Sequence, residues 1–105
     1  MPILRRASWF TSVFLLIAGL LHAASLSGLI TYQGKPVSGA VVTANLMGVK
    51  GPVAVLVTRT DAQGRYALNN LKNGNYILLV DLNGRRVYEG RLALTGPTLV
   101  KDINL

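Results

Sequence analysis

The residues able to perform chemistry are few and poorly spaced for it. The chain holds one histidine, His22, and no cysteine. Beyond residue 25 the serines are Ser27 and Ser38, with no imidazole to act as base and no thiol to act as nucleophile. Lys35 lies close to Ser38, but both fall in a Gly34–Gly39 segment that reads as a turn. The acids Asp61, Asp81, Glu89 and Asp102 are dispersed. Zinc needs Cys, His or clustered carboxylates, and calcium needs several oxygen ligands. Asp61 with Gln63 can hold at most a weak ion, and capping its own turn is the better use of that carboxylate. The sequence therefore predicts no enzyme, no metal and no cofactor.

Binding has more material. Sugars stack on exposed aromatic faces, and the tyrosines past residue 25 are Tyr32, Tyr66, Tyr76 and Tyr88. Strand parity assigns Tyr66 and Tyr76 to the core, Tyr76 as a corner tyrosine bonded to upstream backbone. Tyr88 and Tyr32 are left as outward platforms. Arg85, Arg86 and Arg91 cluster on the last hairpin, and parity puts Arg85 and Arg91 on one face with Arg86 on the other. Charges on an edge strand discourage aggregation, and the same cluster can meet an anionic surface. No aromatic platform interleaves with these arginines, so nucleic acid is not an expected partner.

The first residues read as a leader. Arg5 and Arg6 precede an apolar run from Trp9 to Leu21, and small residues follow at Ala23, Ala24 and Ser25. That order is a secretory signal peptide, and the run is short of the roughly 20 apolar residues a membrane span needs. Residues 1–24 are expected to be the signal peptide, cut after Ala23, Ala24 or Ser25, and 25–105 the domain. The product is exported, periplasmic or extracellular, and touches membrane only if the leader stays. Nine Lys or Arg past residue 25 against four acids leave the domain at +5.

The elements that must position these residues are strands. From Leu26 on the apolar period is two, and glycines interrupt it every eight to twelve residues. Strands are expected at about 26–32, 39–46, 53–59, 65–68, 75–82, 85–93 and 98–104. Ala40, Val42, Ala44 and Leu46 share a face, as do Val53, Val55 and Val57. Asn83-Gly84 predicts a two-residue hairpin, and Asp61-Ala62-Gln63-Gly64 a type I turn. Pro36, after Gly34, marks where the chain leaves the first strand. Gly39, Gly74, Tyr66 and Tyr76 complete the turn and core pattern.

These residues resemble the carboxypeptidase regulatory-like domain, through Ser27-Gly28-Leu29-Ile30, Gly34-Lys35-Pro36-Val37-Ser38-Gly39-Ala40-Val41-Val42, Thr60-Asp61-Ala62-Gln63-Gly64-Arg65-Tyr66 and Leu71-Lys72-Asn73-Gly74-Asn75-Tyr76. The resemblance covers Leu26 to Leu105. It implies an all-β, seven-stranded antiparallel immunoglobulin-like (transthyretin-like) β-sandwich with a carbohydrate-binding-like fold, and the motifs encode turns and core rather than chemistry. Transthyretin-like enzymes that hydrolyse 5-hydroxyisourate use histidines and a Tyr-Arg-Gly-Ser tail, whereas this chain ends Lys101-Asp102-Ile103-Asn104-Leu105. A Lys–Asn crosslink from Lys35 or Lys101 with Asn104 and Glu89 lacks a lysine on the first strand, and burying one uncompensated is costly. The expected role is a non-catalytic binding or assembly module of the cell envelope, meeting a protein partner or another copy through strand edges. Carbohydrate at Tyr88 or Tyr32 is the alternative, and an anionic surface at the basic hairpin the third.

Overall fold

The computed structural model describes residues 24–105, so the leader lies outside the described residues. Nine strands form two packed sheets: β1 (Ala24–Tyr32), β2 (Lys35–Pro36), β3 (Val41–Gly48), β4 (Gly51–Arg59), β5 (Arg65–Leu71), β6 (Gly74–Leu82), β7 (Arg85–Leu94), β8 (Thr98–Val100) and β9 (Ile103–Asn104). One sheet runs β4-β3-β6-β7, antiparallel throughout. The other is built around β1, which pairs antiparallel with β5 and β2 and parallel with β8 and β9.

Seven strands were expected, and two local events make nine. Gln33 and Gly34 both take positive φ, 51° and 79°, which closes a two-residue hairpin. Lys35-Pro36 then folds back on Thr31-Tyr32 as β2 instead of leaving the sheet. The C-terminal strand breaks at Lys101-Asp102 into β8 and β9. Its parallel run beside β1 departs from the all-antiparallel expectation. The short Thr95-Gly96-Pro97 connection carries the chain from β7 across to the other sheet and brings it to β1 in that direction, a non-local outcome that alternation cannot encode.

The core follows the period of two. Leu26 and Ile30 of β1 meet Tyr66, Leu68 and Leu71 of β5, while Val42 and Ala44 of β3 join Tyr76, Leu78 and Val80 of β6. Each buried aliphatic side chain contributes about 1.5–3 kcal/mol relative to exposure. Two phenols are tied to backbone at the rim of this core. Tyr66 Oη donates to Lys101 O at 2.6 Å, and Tyr76 Oη donates to Lys72 O at 2.6 Å. Burial raises both pKa values above the ordinary phenol range, with the Asp102 charge and Tyr88 adding to the rise at Tyr66. Both rings stay neutral donors.

The turns bind the layers together. Asp61 Oδ1 accepts the N–H groups of Gln63 and Arg65, each at 2.9 Å, and Gly64 N–H donates to Asp61 O. The next connection bonds to β1: Ile30 N–H donates to Gly64 O at 2.8 Å, and Ile30 O accepts Val37 N–H at 3.0 Å. Gly64 therefore sits where β2 takes over from β5 along one side of β1.

Candidate functional site

Three surfaces collect the residues singled out by sequence, and the structure separates them. The first is an end of the sandwich, where the Gln33-Gly34 hairpin stands beside Leu82, Val87 and Leu105. Together with Tyr32, Lys35 and Ser38 these groups border a cleft of about 730 Å³. Tyr32 is 55% exposed there, continuing the parity of Ile30 past the end of the core. Its hydroxyl accepts Gln33 Nε2–H at 3.5 Å, at the long limit for such a bond. Lys35 and Ser38 line this cleft together.

The second surface is the last hairpin, and here one residue rearranges everything predicted. The β6–β7 register pairs Asp81 with Arg86 and Val80 with Tyr88, so Val87 is an extra residue, a β-bulge. Without it Tyr88 faces outward and Arg91 inward. With it Tyr88 pairs across from buried Val80 and is half-buried against the core, its ring lying over Gly90. The outward platform expected at Tyr88 is thus corrected. The arginine parity changes for the same reason. Arg86 and Arg91 share the outer face, across from Asp81 and Ile77, while Arg85 lies across from Leu82, which packs on the core.

Arg86 is not a free cation. Its Nε donates to Asp81 Oδ1 at 2.6 Å, and its Nη1 lies 3.6 Å from Glu89 Oε1. The Asp81 hydrogen bond pushes the guanidinium above its ordinary value. Two acids on one arginine offset part of the positive charge of the three hairpin arginines.

The third surface was named by sequence only as a shared face of three valines. Val53, Val55 and Val57 of β4 do share a face, and it is the solvent side, at 67%, 59% and 59% exposure. Among the described residues β4 pairs only with β3, so its far side is an open sheet edge. Thr60 N–H donates to Ala40 O at 2.9 Å. Antiparallel ladders alternate, so Val42–Thr58 and Ala44–Leu56 are the next bonded pairs. The N–H and C=O groups of Val55 and Val57 therefore point away from β3, toward the open edge. No charged residue lies between Lys50 and Arg59. The opposite edge, β7, carries Arg85, Arg86, Glu89 and Arg91 as well as its bulge, whereas β4 is blunted only at its start, by Pro52 and a bulge at Val53.

No group of three His, Cys, Asp or Glu side chains comes together among the described residues. Asp61 and Asp102 border one cleft of about 670 Å³. Each is committed to backbone: Asp61 to its own turn, and Asp102 Oδ1 to Leu29 N–H at 2.9 Å. No described helix is long and apolar enough to cross a membrane.

Comparison with known proteins places the chain by family and by fold. A search of curated proteins finds no match. Among solved structures, one similar chain is the dioxygenase domain of a dioxygenase–carbohydrate-binding protein fusion from the cellulolytic bacterium Streptomyces sp. SirexAA-E. It aligns with a TM-score of 0.62 at 16% identity, over 80% of this chain and 79% of that one. A proposed carbohydrate-binding protein of Pseudomonas aeruginosa gives 0.59 at 14% identity, over 80% and 89%. A DUF3823 family protein of Parabacteroides merdae gives 0.60 at 17% identity, over 79% of this chain and 45% of that one. At such identities the likeness is one of fold, and a fold carries many functions. The family match is broader, spanning residues 25–105, and by it the chain belongs to the carboxypeptidase regulatory-like domain family.

Proposed function

We propose that this protein is an exported, non-catalytic module of the cell envelope that binds a protein partner by strand addition at β4. The observation that carries the reading is the open edge of Val55 and Val57, apolar, uncharged and supplied with outward backbone donors and acceptors. An exposed edge of this kind is a template for another strand, whose main-chain bonds give affinity while side-chain pockets give selectivity. Export rests on the basic, apolar, small-residue order of the leader. Of the three possible cuts, the one after Ala23 leaves β1 whole, since Ala24 is buried and pairs with Leu71.

The test is co-purification from the native envelope with tagged protein and two variants. Val55→Lys places a charge on the edge and is expected to lose the partner, whereas Tyr32→Ala retains it. A partner held equally by Val55→Lys removes β4 as the contact.

A second reading places carbohydrate in the cleft beside Tyr32. It is favoured by the one tyrosine with an open ring face, flanked by Gln33, Lys35 and Ser38 as polar groups. One fold neighbour, the proposed carbohydrate-binding protein of Pseudomonas aeruginosa, supports it. A glycan array is expected to show binding that Tyr32→Ala abolishes and Tyr88→Ala spares. Silence across the array ends this reading.

A further inference from the structure

We infer that the strand accepted by β4 is an extended segment of acidic character, with alternating apolar residues and carboxylates near its ends. The inference rests on the strand-addition reading and names the chemistry of the partner. Its basis is the distribution of charge around the open edge. Lys50 stands just before β4 and Arg59 closes it, both exposed, with Val55 and Val57 between them. The neighbouring strand β3 contributes no acid.

The four carboxylates of the described residues are occupied elsewhere. Asp61 serves its turn, Asp102 serves Leu29 N–H, and Asp81 and Glu89 hold Arg86. Among the described residues neither bracketing cation makes an ion pair, although Arg59 lines the cleft that Asp61 and Asp102 border, and both are exposed beside an apolar stretch. At about 3.4 Å per residue, the nine-residue strand spans about 30 Å. An incoming strand of similar length sets its ends beside Lys50 and Arg59.

The same charges argue against a second copy of this chain. Antiparallel pairing of β4 with itself about Val55 sets Arg59 opposite Gly51, next to Lys50 of the other copy. Two domains of net charge +5 also repel at long range. An acidic strand meets both requirements at once, because its main chain completes the ladder and its carboxylates meet the bracketing cations. Electrostatic complementarity of this kind sets partner choice and register.

The experiment uses two nine-residue peptides with the same Val-Thr alternation, one carrying Glu at both ends and the other Lys. Each is titrated into the purified protein at low and high salt while amide exchange is followed. The Glu-ended peptide is expected to bind about tenfold more tightly at low salt, with the preference shrinking at high salt as the charges are screened. Exchange slows at Val55 and Val57. The Lys50→Glu, Arg59→Glu double variant is expected to reverse the preference.

Equal binding of the two peptides overturns the acidic assignment while strand addition stands. If neither binds and the protein sediments as a dimer that Val55→Lys disrupts, the occupant is a second copy and this inference fails alone. If neither binds and the protein is monomeric, with both amides exchanging freely, the inference and the strand-addition reading fall together.

Discussion

Gly28→Ala is expected to destabilise the domain by about 3 kcal/mol, lowering the melting temperature by about 15 °C for a domain of this size. The cause is space. At Gly28 the segment between β8 and β9 crosses directly over β1. A Cβ there would overlap Lys101 O and lie 2.7 Å from Lys101 C and 2.9 Å from Tyr66 Cε1. Neither backbone group can rotate away. Lys101 N–H is bonded to Ser27 O at 2.8 Å, and Lys101 O accepts the Tyr66 hydroxyl at 2.6 Å. Relief therefore requires lifting β8 and β9 from β1, which also exposes buried Ile103. Gly96→Ala is the control, since a Cβ at that position meets nothing within 4 Å. Thermal unfolding followed by circular dichroism decides the matter. A Gly28→Ala melt matching that of Gly96→Ala would mean that the C-terminal segment does not cross here.

The second large effect is expected at Gly64, where alanine costs about 3 kcal/mol from backbone strain and contact together. Its φ is +78°, and an added Cβ would stand 2.6 Å from Ile30 O and 3.1 Å from both Pro36 Cβ and Val37 N. Gly34 separates the two contributions. Its φ is nearly the same, +79°, yet no atom lies within 4 Å of its ideal Cβ. Gly34→Ala is therefore expected to cost only about 1 kcal/mol, the strain alone. Urea unfolding midpoints with unchanged slope measure both. Equal losses at the two glycines would show that Gly64 is needed for its conformation only, and that β1, β2 and β5 do not converge on it.

These two glycines mark how far the sequence speaks. Asp61-Ala62-Gln63-Gly64 states its own turn, because side-chain acceptor, spacing and glycine are all local. The packing of that turn on Ile30 and Val37 is long-range, and nothing in the spacing reports it. Asn83-Gly84 likewise announces a hairpin, with φ of 53° and 77°. Gln33-Gly34 closes an equivalent turn without the same signal, since glutamine is not a residue that favours positive φ.

The candidate surfaces divide along the same line. Tyr32 is legible because it continues a clear alternation past the last core residue. Tyr88 is not, because the Arg85-Arg86-Val87-Tyr88 run carries no mark of the extra residue. That bulge turns every later side chain to the opposite face. The valines of β4 pose a different difficulty. In Val53-Ala54-Val55-Leu56-Val57 both faces are apolar, so alternation groups the residues without saying which group is buried. Pairing with β3 decides it, sending Ala54 and Leu56 inward and the valines out.

The unequal treatment of the two sheet margins has a stoichiometric consequence. A molecule with both margins open could add neighbours on either side and grow without limit into a fibre. Here β7 is bulged among charged residues, while β4 has its bulge and proline only at its start, at Val53 and Pro52, and is uncharged from there to Thr58. If β4 accepts a guest strand as proposed, the opposite margin of the same sheet, β7, does not repeat the invitation, and that sheet is extended on one side only.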